Sequence, residues 1–405
     1  NLTGAVAAIE GKELEGRPVN SVSTMLQGTV AGLNVSTSSA KPGDNPSLNI
    51  RGYTSINGAS PLVIIDGSIG NIDQVNPNDV QSISVIKDSS AAAIYGARAA
   101  FGVILITTKA GNEQEGKATV RYNGRFGWDE ATVSTDYETS GYWHLKVMDE
   151  FQRGQNGSAI FPQYDDNDWM ELLARVNDKT ENPDRPWVVE EDNPGGVTST
   201  APLGKRWKYY GNTDWYHSLW KDKRFLTQHN VSLSGGSKNF HYFVSGAYKH
   251  NDGVAKYNND KYNQYNLRAK IDFRINKWAT FEENMSYFGK SYTYQGPGSI
   301  ENTMNFSGQY AFPVFPLQNP DGSNIYGNPY FGYKVANGRH IVMMEGKHPG
   351  SDIQNAFLST SRLNLTPIKQ LTVTGDFTYR FHQNRNTKRY NNIPYREYPG
   401  ADIKV

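Results

Sequence analysis

The chain has 405 residues, room for two domains or more, and its 41 basic and 40 acidic residues leave a formal charge of +1, which gives no electrostatic case for nucleic-acid binding. Cysteine is absent, so disulfides, Cys-ligated zinc and thiol nucleophiles are excluded within it. Aromatic residues reach 12%, with 25 Tyr and 39 Gly, yet no run approaches the roughly 18 apolar residues of a membrane helix. Such a composition suits a secreted, Tyr-rich β-sandwich, or a transmembrane β-barrel in which only alternate residues meet lipid. Asn1-Leu2-Thr3-Gly4 reads as mature protein without a signal peptide.

Residues 33–109 string together short β segments, predicted at 33–35, 48–52, 62–67, 83–87 and 103–108, with an Ala-rich helix at 89–93 before a Tyr95-Gly96 turn. Asp66-Gly67 closes the apolar run Leu62-Val63-Ile64-Ile65 and reads as a tight reversal. Lys87-Asp88-Ser89-Ser90 places Asp88 or Ser89 at the N-cap of the Ala91-Ala92-Ala93 helix. The motifs NIRG, PLVIIDG and DVQSISVIKDSSAAAIYGARAAFGVILITTK, in that order, resemble the plug domain of TonB-dependent outer-membrane transporters, in the form of the SusC/RagA branch.

The resemblance implies a mixed α/β plug over residues 1–115 whose Arg51 and Arg98 pair with carboxylates of a barrel wall. A guanidinium suits that role, because its fork binds carboxylate bidentately and stays charged; a solvated surface arginine is the competing reading. Glu282 or Glu283, on one predicted strand, is a candidate partner. Gly52, Asp66, Gly67, Lys87, Asp88, Tyr95 and Gly96 are expected to fix the plug fold. Strand directions bring the loops 36–47 and 68–73 to one end of the plug and 53–60 to the other, and family members present the first pair to the external cavity. Ser38, Lys41, Asp44, Ser68 and Asn71 are therefore expected to line the floor of a substrate cavity, with Asn57 and Gly58 facing the periplasm; polar turn residues chosen for geometry alone are the alternative.

Beyond Gly111 the pattern becomes long alternating strands. Residues 265–275 put Tyr265, Leu267, Ala269, Ile271, Phe273 and Ile275 on one face and Asn266, Arg268, Lys270, Asp272 and Arg274 on the other, and residues 371–381 repeat this. Period two over about 11 residues matches the span of a tilted transmembrane strand and exceeds the usual soluble strand of about 5–6. Leu267, Ile271, Phe273, Leu371, Val373 and Phe377 are expected to face lipid; Arg268, Lys270, Asp272, Thr374 and Asp376 are expected to face the lumen. Further strands are predicted at 118–127, 227–235, 240–250, 279–292 and 354–365. Short turns follow at Gly235 to Asn239 and at Asn276-Lys277, where Asn276 suits a positive φ. Residues 116–405 thus read as the N-terminal portion of a barrel with long external loops near 128–225 and 293–353. About seven strands cannot enclose such a plug, so a fragment of a larger barrel, of about 22 strands, is expected.

No HExxH, GxSxG or GxxxxGK[ST] pattern occurs, and no enzyme, catalytic residue or metal centre is expected. Asp165, Asp166 and Asp168 could bind Ca²⁺ as hard oxygen ligands, although they lack EF-hand spacing, and a solvated loop is the alternative. Trp143, Trp169, Trp187, Trp207, Trp215 and Trp220 fall in the first long loop region. They suit ligand stacking or a membrane-boundary girdle, and the girdle is preferred for Trp215, Trp220 and Phe225. The resemblance implies a TonB-energised importer of oligosaccharide or oligopeptide, partnered by a SusD-like lipoprotein and, through a segment upstream of Asn1, by TonB. A non-transporting surface receptor or signal transducer on the same scaffold, and a soluble secreted adhesin, are the rivals.

Overall fold

The computed structural model describes residues 6–11, 21–37, 41–50, 60–87, 95–112, 117–130, 132, 134–193, 204–296, 303–305, 310–328 and 333–405. The first hundred residues form β1 (Val6–Glu10), a helical turn α1 (Val22–Met25), β2 (Leu33–Ser36), β3 (Ser47–Ile50), β4 (Leu62–Ile65), β5 (Ser68–Ile69), β6 (Val80–Ile86) and β7 (Val103–Thr108). Five of these strands make a mixed sheet in the order β1-β6-β7-β4-β5, and β2 and β3 pair as a separate hairpin. β4 and β7 run parallel and are near-continuous apolar runs, as expected of strands covered on both faces. One face buries Ile9, Leu26, Leu33, Ile50, Ile83 and Ile104 in a common core; the other buries Ile64, Ile86, Ala99 and Val103. Short polar residues cap the local turns: Ser21 accepts from Thr24 N at the start of α1, and Asn71 and Asn76 open two 3-10 turns in the same way.

The second region starts with β8 (Thr119–Glu130). A long connection follows, carrying α2 (Gly141–Asn156), α3 (Asp166–Ala174), β9 (Val188–Asn193), β10 (Gly204–Tyr209) and α4 (Trp215–Leu219). Then come β11 (Lys223–Ser237), β12 (Phe240–Asp252), β13 (Lys261–Asn276) and β14 (Ala279–Gln295). A second long connection holds β15 (Gly327–Asn328), β16 (Tyr333–Lys334) and α5 (Arg339–Glu345), before β17 (Pro349–Ile368) and β18 (Leu371–Lys388).

β8, β11, β12, β13, β14, β17 and β18 form one seven-stranded antiparallel sheet, the partial barrel anticipated from the alternation. Its later strands reach 16 to 20 residues, longer than predicted, because the polar ends of each strand continue the ladder past the apolar alternation. The hairpins at Ser237↔Phe240, Asn276↔Ala279 and Ile368↔Leu371 lie at one end of the sheet and both long connections at the other. Asn276 does not take a positive φ; its side chain accepts from Trp278 N at 2.9 Å and closes the turn instead. Leu267, Phe273, Leu371, Val373 and Phe377 are exposed on the outer face, with Ile271 half-buried among them.

The two long connections are a folded cap with its own core. Leu145, Leu172, Trp207, Tyr209, Leu219 and Phe315 are buried together, and the core joins segments from both connections. Trp215 and Trp220 lie in this core, which overturns their placement in a boundary girdle; Phe225 instead packs beside Trp128 at 5.7 Å at the outer end of β8 and β11. Asp168 is buried but satisfied: Lys208 Nζ donates to it at 2.7 and 2.8 Å, and Tyr210 Oη at 2.6 Å, so the charge is paired as burial requires. Asp165 and Asp168 form a reciprocal capping box at the start of α3. α2 ends on Gly157 at φ 77°, the left-handed closure glycine permits.

His340 of α5 is wholly enclosed in this cap, edge-on to Trp215 at 5.2 Å. Burial pulls its imidazole down from 6.5 to about 4, the Ile325 backbone offsetting only part of the shift. The unfolded chain therefore binds the extra proton first, and the stability due to neutral His340 is complete above about 6.5 and lost as pH falls toward about 4. Tryptophan-fluorescence melts of the cap are expected to fall in temperature across that window, and a His340→Leu variant to show a flatter pH profile.

Candidate functional site

Asp66 and Gly67 have φ of 47° and 84°, a two-residue reversal joining Ile65 to Ser68 with both central residues left-handed, as the tight hairpin turn requires. That geometry turns the Asp66 side chain back over β7, where Oδ1 accepts from Thr108 N at 2.9 Å and Oδ2 from Thr108 Oγ1 at 2.5 Å. The same carboxylate meets the sheet wall. Asn284 Nδ2 donates to Oδ2 at 2.8 Å, Arg268 Nη1 lies at 3.2 Å and Lys270 Nζ at 3.7 Å from Oδ1. Arg268 also reaches Asn284 Oδ1 at 3.0 Å and lies 4.0 Å from Asp79 through Nε.

Asp66, Asp79 and Arg268 side chains are each 7% exposed or less. Burial pushes the Asp66 carboxyl up, but Lys270, the Thr108 hydrogen bonds and Arg268 outweigh it and hold the group below the usual carboxylate range. For Asp79 burial prevails over Arg268, and its carboxyl is raised. One guanidinium thus sits between two plug carboxylates, with a lysine and an amide completing the shell.

Neutral contacts extend this junction. Asn76 Nδ2 donates to Asn230 Oδ1 at 2.9 Å, Asn266 Nδ2 to Gln74 O at 2.7 Å, and Asn123 Nδ2 to Asn78 Oδ1 at 3.4 Å. Ser68 Oγ lies 3.2 Å from Thr360 Oγ1, and Arg380 donates to Ile69 O. Toward the long-connection end, Lys41 stands 4.7 Å from the Tyr292 ring centroid and 3.8 Å from Asp352. Gly43 (φ 82°) presses so closely on the Tyr262 ring that a Cβ there would lie 1.9 Å from it. Tyr262, Tyr292 and Tyr294 form a buried aromatic shelf under this loop.

These contacts revise the expected anchors. Arg51 and Gly52, like Ser38, Asn57, Gly58 and Asp88, lie outside the described residues. Arg98 is exposed in the 3-10 turn Ala97–Ala99 and makes no ion pair with this part of the wall among the described residues. At this junction plug carboxylates meet a wall arginine. Asp66, read as a turn residue, is both turn and anchor. Arg268 and Lys270 were legible as lumenal from the alternation, but their partners were not, because sequence periodicity carries no information on what faces a strand across space.

Glu282 points to the lumenal side, 3.8 Å from Arg362, and Glu283 to the outer side, where Ser359 donates to it at 2.6 Å; neither meets a plug arginine among the described residues. Lys87 donates to Ala31 O, Tyr95 packs on the second plug cluster, and Gly96 takes a φ of 72°. The expected cavity floor divides. Lys41 lies by Asp352, whereas Ser68 docks on Thr360, eight residues deeper along β17. Ser68 therefore faces the wall, Asn71 caps a 3-10 turn beside it, and Asp44 is exposed. Among the described residues no cluster of three or more His, Asp or Glu side chains is arranged to hold a metal ion, and the oxygens of Asp165 and Asp168 are engaged as described above.

Residues 1–103 match the TonB-dependent Receptor Plug Domain family. The chain is 31% identical over 270 residues to the TonB-dependent receptor SusC of Bacteroides thetaiotaomicron, covering 64% of this chain and 22% of that protein. It is 26% identical over 400 residues to the TonB-dependent receptor P26 of Formosa agariphila, covering 96% of this chain and 34% of that one. In fold it superposes on a chain of the RagAB peptide importer in its closed-closed state with a TM-score of 0.72 and 24% identity, over 98% of this chain and 43% of that one. Residues 1–103 carry the plug domain of TonB-dependent receptors, and the chain as a whole is similar to receptors of the SusC/RagA type. It spans about a third or less of the length of these curated relatives, and it is an outer-membrane plug with part of its barrel. In that setting the short hairpins lie on the periplasmic side and the cap outside.

Breaking a buried ion pair by removing one partner typically costs about 3–5 kcal/mol. Arg268→Ala and Asp66→Asn are each expected to loosen the plug, read as increased vancomycin entry in cells carrying the receptor. The double variant is expected to be no leakier than the worse single one, since both remove one shared interaction.

Proposed function

We propose that this protein is the plugged channel of a SusC-type importer, drawing a large nutrient, oligosaccharide or oligopeptide, across the outer membrane with energy delivered by TonB. A SusD-like lipoprotein on the cap side would hold the substrate at the mouth, and outer-membrane lipid would contact the outward apolar rows. The observation that carries this reading is the junction at Asp66, Asp79 and Arg268. Against this part of the wall it holds the plug by a few directional, charged contacts. Such a junction resists thermal opening, because bare buried charges are costly, yet it parts under a pull once a few hydrogen bonds are broken. The outer membrane has no ATP, so that pull must arrive mechanically. The role inferred is transport rather than catalysis.

The absence of cysteine makes a tether straightforward. Ser68 and Thr360 bring their hydroxyl oxygens to 3.2 Å across the junction. A Ser68→Cys, Thr360→Cys pair, oxidised in cells, is expected to abolish growth on the nutrient the receptor serves, with recovery on reduction. Surface binding of that nutrient should persist in both states. Undiminished uptake with the disulfide formed would show that the plug need not leave this wall, and the import mechanism proposed here would fall.

A further inference from the structure

The cap contains a cleft of ≈ 450 Å³ between residues 137–144, the start of α4 and Met304, Ala311 and Pro313. Tyr137 and Tyr216 stand at one side with ring centroids 5.5 Å apart. Thr213, 6% exposed, lines it, and its Oγ1 is buried without a hydrogen-bond partner among the described residues. His144 Nδ1, also in the lining, is in the same condition. Glu138 and Asp214 contribute carboxylates, each already partly engaged: Glu138 accepts from Ser140 N at 2.7 Å and Asp214 from His217 N at 2.9 Å. Buried polar atoms are rarely left unpaired without reason, and aromatic walls with a few convergent polar groups are the usual make-up of a ligand site.

We propose that this cleft is a carbohydrate subsite of the cap, taking one or two rings of a neutral oligosaccharide. The inference rests on the import reading and deepens it by naming the substrate class. The chemistry of the lining decides between sugar and peptide. Carboxylates accept hydrogen bonds, and a neutral imidazole and a threonine hydroxyl each offer one donor and one acceptor site. Burial holds His144 below its ordinary range, with Glu138 opposing, so the ring is neutral at pH 7.

A sugar hydroxyl donates and accepts at once, and its apolar ring face lies flat on tyrosine. A free peptide carries a terminal carboxylate, which calls for a cation. The lining holds neither Lys nor Arg among the described residues, and the Trp215 indole N–H is committed to Phe312 O at 3.0 Å.

Trp215 and Trp220 border the cleft and report on it. The full-length receptor in detergent would be titrated with malto-, cello-, manno- and xylohexaose, and separately with mixed hexapeptides, following tryptophan emission. At least one hexasaccharide is expected to bind saturably and the hexapeptides not to compete. Tyr216→Ala should weaken that binding about 10-fold and Thr213→Val about 3-fold or more, from the loss of a stacking face and of one hydrogen bond.

Because Tyr216 touches the cap core, Tyr137→Ala, at an exposed ring, serves as a second variant, and Tyr216→Phe should retain affinity. Absence of saturable binding by all four sugars, binding indifferent to these variants, or competition by hexapeptides would each overturn the subsite. None of these outcomes bears on the tethered-plug experiment, so the two readings fail separately.

Discussion

A single buried guanidinium organises this structure. Arg268 lies at a place where water is excluded and where an unpaired charge would be intolerable, so the plug must present carboxylates to it in one position only. Asp66 and Asp79 do so from two different turns of the plug, and Asn284 and Lys270 complete the shell from the wall. The contact also sets the parity of the sheet. With residue 268 facing inward, cross-strand pairing places Ser245, Ser286 and Leu358 on the same face. A one-residue slip in any ladder would turn a polar row toward lipid.

Against these seven strands the plug makes two kinds of contact among the described residues. Its charged contacts gather at the β4–β5 turn and the 3-10 turn before β6, and a row of amides spreads the load along one flank. At the outer end the docking changes character, with Lys41 and Gly43 resting on a tyrosine shelf. A glycine at φ 82° lets the backbone reach the ring, where any side chain would collide. The deep contacts are directional and breakable, and the outer one is a matter of shape, close to where a substrate would arrive.

The cap obeys soluble-protein rules above a wall that obeys membrane rules. Trp207, Trp215 and Trp220 are packed inward, the buried Asp168 is neutralised by Lys208, and α2 and α3 carry ordinary caps. The wall below presents large apolar side chains to the outside and keeps its polar network within. Polar groups on the outer face are satisfied locally: Glu283 accepts from Ser359 and Ser361 across the β14–β17 ladder, and His229 Nδ1 lies 2.8 Å from Tyr122 Oη.

Much of this was legible in the chain. Alternation over residues 265–275 and 371–381 determined both the strands and the faces they present, because side-chain direction in a strand depends only on parity. The Asp66-Gly67 pair determined a tight turn, because few residues tolerate the left-handed backbone it needs. The apolar run before it determined a covered strand. The packing of the cap and the identity of the anchors were decided only in three dimensions. Trp215 and Phe312 are far apart in sequence yet share one core and one hydrogen bond. Arg268 is separated by about two hundred residues from the carboxylate that it neutralises. Local pattern fixes which way a side chain points, and the cost of burying charge fixes that it must be paired. Only the packing of the sheet against the plug decides with what.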